Sequence, residues 1–122
     1  DAPAPFSNYS QAVEVPAGYR HVAVSGQVGV DANGNLAPDE AGQHEQTWRN
    51  ILAILAHDGM TAGDIVEVVA YVTDSSGVPI YREVRDRMLD GALPASTLLV
   101  ISGLADPAWK VEISVRAAQK AG

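Results

Sequence analysis

The sequence predicts an α+β protein with two helices and a β-sheet, in the element order ββ(β)αβαββ. Two segments, at about 39–57 and 77–90, have the apolar period of amphipathic helices. Runs rich in β-branched residues predict three further strands, at Ile65–Thr73, Ser96–Ile101 and Lys110–Ala117. No internal repeat or long linker interrupts the 122 residues, so we interpret residues 1–122 as a single domain.

Short strand signals and turn residues fill the N-terminal part of the chain. Gln11–Val15 and Tyr19–Ser25 are predicted strands, and Pro16-Ala17-Gly18 between them predicts a hairpin turn. Gln27–Val30 is expected to continue in extended form. A second turn cluster, Asp31–Asn35, then leads to the first helix.

Each predicted helix has one apolar face. The first runs from about Asp39 to about His57, and Gly59 is its stop signal. Its apolar positions, spaced i, i+3, i+4 and i+7, are Trp48, Ile51, Leu52 and Leu55. The second has Pro79 in its first turn, and its apolar stripe consists of Ile80, Tyr81, Val84 and Met88.

Charged residues occupy the other side of the second helix. Arg82 with Asp86 and Glu83 with Arg87 have the i, i+4 spacing of helical ion pairs. We interpret these arginines as part of a solvated, paired face rather than as a nucleic-acid contact.

The strands carry more apolar surface than two helices can cover. In the last strand, Val111, Ile113 and Val115 alternate with polar residues, which indicates one packed face. Ile65–Thr73 and Thr97–Ile101 are instead apolar on both faces, while two helices cover only one side of a sheet. We therefore expect another copy of the chain to cover the other side. A sheet curled on itself in a monomer is the alternative.

Composition excludes several classes of protein. The 47% hydrophobic content is that of a globular chain, and 15 acidic against 8 basic residues give a net charge of −7, which disfavours nucleic acid as a partner. Apolar runs are too short to cross a membrane. Cysteine is absent, so disulfides and thiolate chemistry are excluded, and we expect a soluble, cytoplasmic protein. The start at Asp1 leaves open whether a targeting segment was removed.

Segments that partly match known catalytic and ligand-binding motifs each lack a required residue or structural context. His44-Glu45-Gln46-Thr47-Trp48 begins like a zinc-protease helix but has Trp48 where the second histidine is needed. His21, His44 and His57 fall on different elements, and each is interpreted as a surface or half-buried histidine. Gly26-Gln27-Val28-Gly29 is not followed by a helix, as a phosphate-binding loop would be. We expect neither a metal nor a cofactor.

A set of small polar residues at predicted strand ends remains: Tyr9, Ser25, Gly26, Gln27, Ser96, Thr97 and Glu112. Each has a structural explanation. Tyr9 could be a packed aromatic residue, the Ser25–Gln27 segment a β-bulge, and Glu112 a solvated carboxylate on an exposed sheet face. Composition and spacing do not decide further.

Four segments together resemble the Rid (reactive intermediate deaminase) family, also called the YjgF family, over nearly the whole chain. They are Asn8–Ala12, Val24–Gln27, Leu93–Thr97 and Val111–Ile113. The resemblance implies a chorismate-mutase-like α+β fold, with a mixed sheet, two helices on one face, and a homotrimer. It also implies three sites for a small-molecule metabolite, in clefts between subunits.

Deaminating members of this family hydrolyse enamines and imines, formed from amino acids by pyridoxal-phosphate enzymes, to a keto acid and ammonia without a cofactor. By resemblance, Tyr9 lines the cleft, Gly26 offers backbone contacts, and Glu112 orients or activates the water. Ser25, Gln27 and Thr97 join them as substrate-binding candidates, and Glu112 is the catalytic one.

One position departs from the family pattern. Deaminating members grip the substrate carboxylate with an arginine after Pro-Ala, and here that position is Ser96. A serine hydroxyl offers one neutral donor instead of two charge-assisted ones, so deamination of standard 2-imino acids is not assumed. Lys110 or Arg116 could supply a cation in three dimensions. The alternatives are a non-catalytic binding or chaperone-like trimer and, as the weakest, a ribonuclease.

Overall fold

The computed structural model describes all residues from 1 to 122. Its regular elements are β1 (Tyr19–Gln27), α1 (Glu40–His57), β2 (Ile65–Val72), α2 (Gly77–Leu89), β3 (Ala95–Val100) and β4 (Val111–Lys120), with a short 3-10 turn at Ala62–Asp64. Both predicted helices and the strands corresponding to β1 to β4 are confirmed. Neither helix is long and apolar enough to cross a membrane.

The four strands form one mixed sheet in the order β1-β4-β2-β3. β4 lies between β1 and β2 and is antiparallel to both. β2 and β3 are parallel, because α2 carries the chain from the end of one strand back to the start of the other. The predicted mixed sheet with two packed helices is therefore confirmed.

The predicted strand Gln11–Val15 is wrong. This segment is not a strand, and the expected hairpin with β1 does not form, because β1 pairs only with β4. Four of its five residues are exposed. A short strand at the sheet edge that leaves Val13 exposed gains too little to offset the ordering of its backbone.

Capping residues set the bounds of α1. The Asp39 side chain accepts a hydrogen bond from the backbone N–H of Gly42 at 2.6 Å. At the other end Gly59 has φ +75°, and the N–H of Met60 donates to the carbonyl of Leu55 at 2.9 Å. This left-handed glycine stop confirms the predicted end of the helix.

The core lies between the two helices and one face of the sheet. Its fully buried side chains include the predicted Trp48, Ile51, Leu55, Tyr81, Val84, Val111 and Ile113. The opposite face of the sheet has no helix over it. Leu99, 45% exposed, lies on that face beside Tyr71 of β2, and Tyr71 in turn pairs with Glu112 of β4. We call this side the uncovered face.

Candidate functional site

Two of the predicted site residues, Tyr9 and Ser96, line one cavity of about 320 Å³. It lies where α2 and β3 meet residues 6–10, which we call the N-terminal arm. The lining residues are Phe6, Ser7, Tyr9, Val78, Arg82, Arg85, Ser96, Leu98 and Val100. We call it the arm cavity.

The N-terminal arm forms one wall because it is tied to the start of β3. The N–H of Ser10 donates to the carbonyl of Pro94 at 3.0 Å, and Ser10 forms a parallel bridge with Ala95. Within the arm, the N–H of Phe6 donates to the hydroxyl oxygen of Tyr9 at 3.2 Å. These contacts hold the Tyr9 phenol beside the first residues of β3.

Ser96 faces the helix side of the sheet. It pairs with Val68 of β2, a fully buried core residue, so both side chains lie on the same side. The next residue, Thr97, alternates to the uncovered face, where it is exposed and lies beside Val69. Ser96 and Thr97 therefore belong to opposite sides of the sheet, and Thr97 does not line the arm cavity.

Two arginines of α2 also line the arm cavity, and the motif comparison did not single them out. Arg85 is only 3% exposed; its Nε donates to Oδ1 of Asp86 at 3.0 Å and its Nη1 to the Ser7 hydroxyl at 3.4 Å. Its guanidinium carbon lies 5.4 Å from the centre of the Tyr81 ring, a cation–π distance. Arg82 is exposed and lines the same cavity.

The predicted ion pairs on α2 are confirmed for one pair and wrong for the other. Arg87 Nε lies 3.5 Å from Oε1 of Glu83. Asp86 pairs with Arg85 instead of Arg82 and accepts a hydrogen bond from Nδ2 of Asn8 at 2.9 Å. Asp86 therefore contacts Asn8 and Arg85, and Arg82 lies beside the cavity without an ion pair.

A buried polar cluster lies behind the arm cavity. The rings of His44 on α1 and Tyr81 on α2 have centroids 6.1 Å apart. Both His44 ring nitrogens are buried without a hydrogen-bond partner, and burial lowers the pKa of His44 to about 4. The expectation of a surface or half-buried residue is therefore wrong for His44, which sits neutral in the core; His21 and His57 are exposed.

The Tyr81 phenol connects this cluster to the arm cavity. Burial raises its pKa, while the neighbouring Ser96 hydroxyl and Arg85 guanidinium oppose the rise. Neither neighbour makes a hydrogen bond of normal geometry to the Tyr81 hydroxyl, which remains unpartnered within the protein.

Glu112 and Gly26 form a second group, on β4 and β1. Between the pairs Val24–Val115 and Gln27–Ile113, two residues of β1, Ser25 and Gly26, lie opposite one residue of β4, Ser114, which is a β-bulge. A Cβ atom at Gly26 would lie 2.9 Å from the carboxylate carbon of Glu112. The carboxylate therefore lies against the bulged backbone, in space that a Cβ atom at residue 26 would take from it.

Ser25 and Gln27 do not join the pair formed by Glu112 and Gly26. Ser25 is exposed. Gln27 pairs in register with the core residue Ile113 and lines a shallow depression beside Asn50 of α1. Within the chain, four of the predicted residues thus form two pairs on opposite sides of the sheet, Tyr9 with Ser96 and Gly26 with Glu112, and not one site.

The two suggested replacement cations do not reach the arm cavity. Arg116 is exposed and pairs in register with Ala23 of β1. Lys110 is exposed just before β4. Neither lines the cavity, which has Arg82 and Arg85 instead. No cluster of three or more histidine and carboxylate side chains is arranged to hold a metal ion.

A comparison with known protein families shows the family to which this chain belongs. A family model described as Endoribonuclease L-PSP matches residues 1–119. The chain belongs to the Rid/YjgF family. The chain is similar to protein DfrA of Myxococcus xanthus, at 33% identity over 84% of this chain and 79% of that protein. A 2-iminobutanoate/2-iminopropanoate deaminase of Salmonella typhimurium is 36% identical over 61% of this chain and 56% of that protein.

Solved structures of Rid/YjgF proteins share the fold. The crystal structure of the Rid-family protein YyfB from Yersinia pestis superimposes with a TM-score of 0.84 at 29% identity, covering 92% of this chain and 87% of YyfB. That of E. coli TdcF with bound serine gives a TM-score of 0.77 at 25% identity, covering 97% of this chain and 93% of TdcF.

Proposed function

We propose that this Rid/YjgF protein is a cofactor-free hydrolase of small enamine or imine metabolites, acting in clefts between the subunits of a homotrimer. The observation that carries the proposal is the Glu112 carboxylate held against the Gly26 bulge on the uncovered face. The names of the Salmonella relative and of the serine-bound E. coli protein support a small, amino-acid-derived substrate.

The separation of the two residue groups supports a site between subunits. Tyr9 and Ser96 lie on the helix side of the sheet and Glu112 on the uncovered face, so a single subunit cannot present them to one small molecule. A neighbouring copy packed on the uncovered face would bring its own residues to Glu112. It would also bury Leu99 and the other apolar residues there.

The reaction needs a positioned water and proton transfers. Water adds to the carbon of the C=N bond, and the resulting carbinolamine releases ammonia to leave a carbonyl; an enamine is first protonated on carbon. Glu112 would accept a proton from the attacking water and return it to the departing nitrogen. Overall, imine and water give a carbonyl compound and ammonia, with no redox step.

Ser96 shapes the expected substrate range. A neutral hydroxyl replaces the family's arginine, so residue 96 alone binds a carboxylate weakly. We expect only modest acceleration of the hydrolysis of standard 2-imino acids. The same substitution favours the alternative of a non-catalytic binding trimer, in which the cleft is kept and turnover is lost.

The decisive experiment measures keto-acid release while an amino-acid oxidase generates the 2-imino acid in situ. Wild type should exceed the spontaneous rate, and Glu112→Gln should lose most of that excess, because an amide cannot accept the water proton. Glu83→Gln, which alters an exposed α2 carboxylate, is the matched control and should behave as wild type. No acceleration by the wild type for any imine or enamine tested would favour the binding-only trimer.

The oligomer is tested separately. Sedimentation equilibrium of the wild type should give three times the 12.8 kDa subunit mass, and Leu99→Lys, which puts a charge on the uncovered face, should shift the equilibrium towards monomer. A stable wild-type monomer at micromolar concentration would remove the intersubunit site from the proposal.

A further inference from the structure

The arm cavity is positively charged in a protein whose net charge is −7. Of its nine lining residues two are arginines and none is a carboxylate. Asp86, outside the lining, offsets the charge of Arg85, while Arg82 has no ion-pair partner. A concave site of this sign attracts small anions despite the acidic surface elsewhere.

Buried hydrogen-bond donors point to the same conclusion. Nη2 of Arg85 lies 2.9 Å from Oδ1 of Asp86 but makes no hydrogen bond of normal geometry, and it is buried. The Tyr81 hydroxyl beside it has no partner either. Buried polar groups are almost always paired, and an unpaired guanidinium N–H is costly. Arg85 lines the cavity and Tyr81 does not, so an anionic acceptor in the cavity would pair with the Arg85 guanidinium.

The other residues that line the arm cavity indicate what the uncharged part of the ligand must be. Phe6, Val78, Leu98 and Val100 are apolar, while Ser96 and Tyr9 add hydroxyl groups. A cavity of about 320 Å³ is at the small end of ligand sites. This combination fits a short aliphatic chain with one carboxylate.

We infer that Arg85 and Arg82, together with Ser96, bind the carboxylate of a short-chain keto or imino acid in the arm cavity. Helix α2 thereby supplies the cation that the start of β3 lacks. A guanidinium can bind both carboxylate oxygens, and Arg85 is held in place by Ser7, Asp86 and the Tyr81 ring. The choice of keto and imino acids rests on the proposed function; the binding itself does not require turnover.

Binding of 2-oxobutanoate, measured by isothermal titration calorimetry, tests the inference, with the uncharged 2-butanone as the comparison ligand. Wild type should bind the acid and not the ketone, and the affinity should fall as salt is added. Arg85→Gln should weaken binding about tenfold to a hundredfold, the range for hydrogen bonds to charged groups. Arg82→Gln should weaken it several-fold.

Arg87→Gln is the matched control, because Arg87 lies on the same helix but pairs with Glu83 and Glu45 away from the cavity. It should bind as wild type does. Because Arg85 is buried, Arg85→Gln could misfold, so Arg85→Lys is included as a conservative variant and the thermal melt of every variant is measured. Arg82 is exposed, and Arg82→Gln should fold normally. Unchanged affinity in folded Arg82→Gln and Arg85→Lys would overturn the inference, as would no binding by the wild type.

The two proposals fail in different ways. Arginine-dependent binding of 2-oxobutanoate without any imine hydrolysis would contradict the proposed enzyme and leave the carboxylate site standing. Imine hydrolysis by the wild type, together with 2-oxobutanoate affinities that both arginine variants leave unchanged, would contradict the carboxylate site and leave the enzyme standing.

Discussion

The two faces of the sheet differ in how much of the chain packs over them. On the helix side, a packed core supports the arm cavity, and Arg85 is held by contacts from the arm and α2. On the uncovered face, Glu112 and Thr97 project from strands with nothing over them. The inferred carboxylate site on the helix side needs no second copy, because Arg85 is already buried and held in place within one chain. On the uncovered face, the proposed function requires another copy of the chain.

Two neighbours on β4 provide the largest contrast between the faces. Ile113 is fully buried on the helix side, while Ser114 points to the uncovered face. Ile113→Ala should lower the free energy of unfolding by about 2–5 kcal/mol, because it leaves a cavity in the core. Ser114→Ala should change it by less than about 0.5 kcal/mol. Urea denaturation measures both; similar losses would mean that the uncovered face is as tightly packed as the core.

Acid should destabilise the helix side through His44. Its folded-state pKa is about 4, below the unfolded value of about 6.5, so between these values the unfolded chain binds a proton that the folded chain does not. Stability therefore falls as pH drops from about 6.5 to 4, by up to about 3 kcal/mol, and this contribution is constant above that window.

Urea unfolding at several pH values tests this dependence. His44→Leu should flatten the loss of stability between pH 6.5 and 4, because leucine cannot bind a proton. The variant should still fold, because neither ring nitrogen of His44 has a hydrogen-bond partner to lose. His57→Gln, at an exposed position, is the control and should retain the wild-type pH dependence. An unaltered profile in His44→Leu would assign the acid sensitivity to other groups.

The smallest expected effect concerns the uncovered face. Gly26→Ala places a Cβ against the flexible end of the Glu112 side chain, so the carboxylate must move while the backbone need not. We expect about a tenfold loss of imine turnover, equivalent to about 1.4 kcal/mol, and a change in unfolding free energy below about 1 kcal/mol. Gly103→Ala, where a Cβ meets open space, is the control for both measurements. Full activity in Gly26→Ala would separate the bulge from catalysis.

Local patterns predicted the elements that bury a face. The i, i+3, i+4, i+7 spacing from Trp48 to Leu55 and the stop at Gly59 are confirmed for α1, since both signals act within a few residues of the chain. The same kind of signal predicted a strand at Gln11–Val15, which does not form. Strand formation needs a partner, and that segment has none in the sheet.

The candidate site shows the same division. The sequence motifs singled out Tyr9, Ser96, Gly26 and Glu112, and the structure places the first two together in one cavity and the last two in contact. The motifs do not indicate that these two pairs of residues lie on opposite sides of the sheet. No motif singled out Arg85, and its contact with Ser7, 78 residues away, arises only when the chain folds.

The order of residues along the chain by itself determined the two helices, the β-branched strands, the net negative charge and the motif residues that mark a Rid/YjgF protein. These properties depend on composition or on neighbours within a few positions. Only the tertiary structure decided that Asp86 pairs with Arg85, that His44 is buried and neutral, and that two arginines meet beside Ser96. Such contacts join the arm, α1, α2 and β3, and their energies depend on desolvation, which arises only when those distant segments pack together.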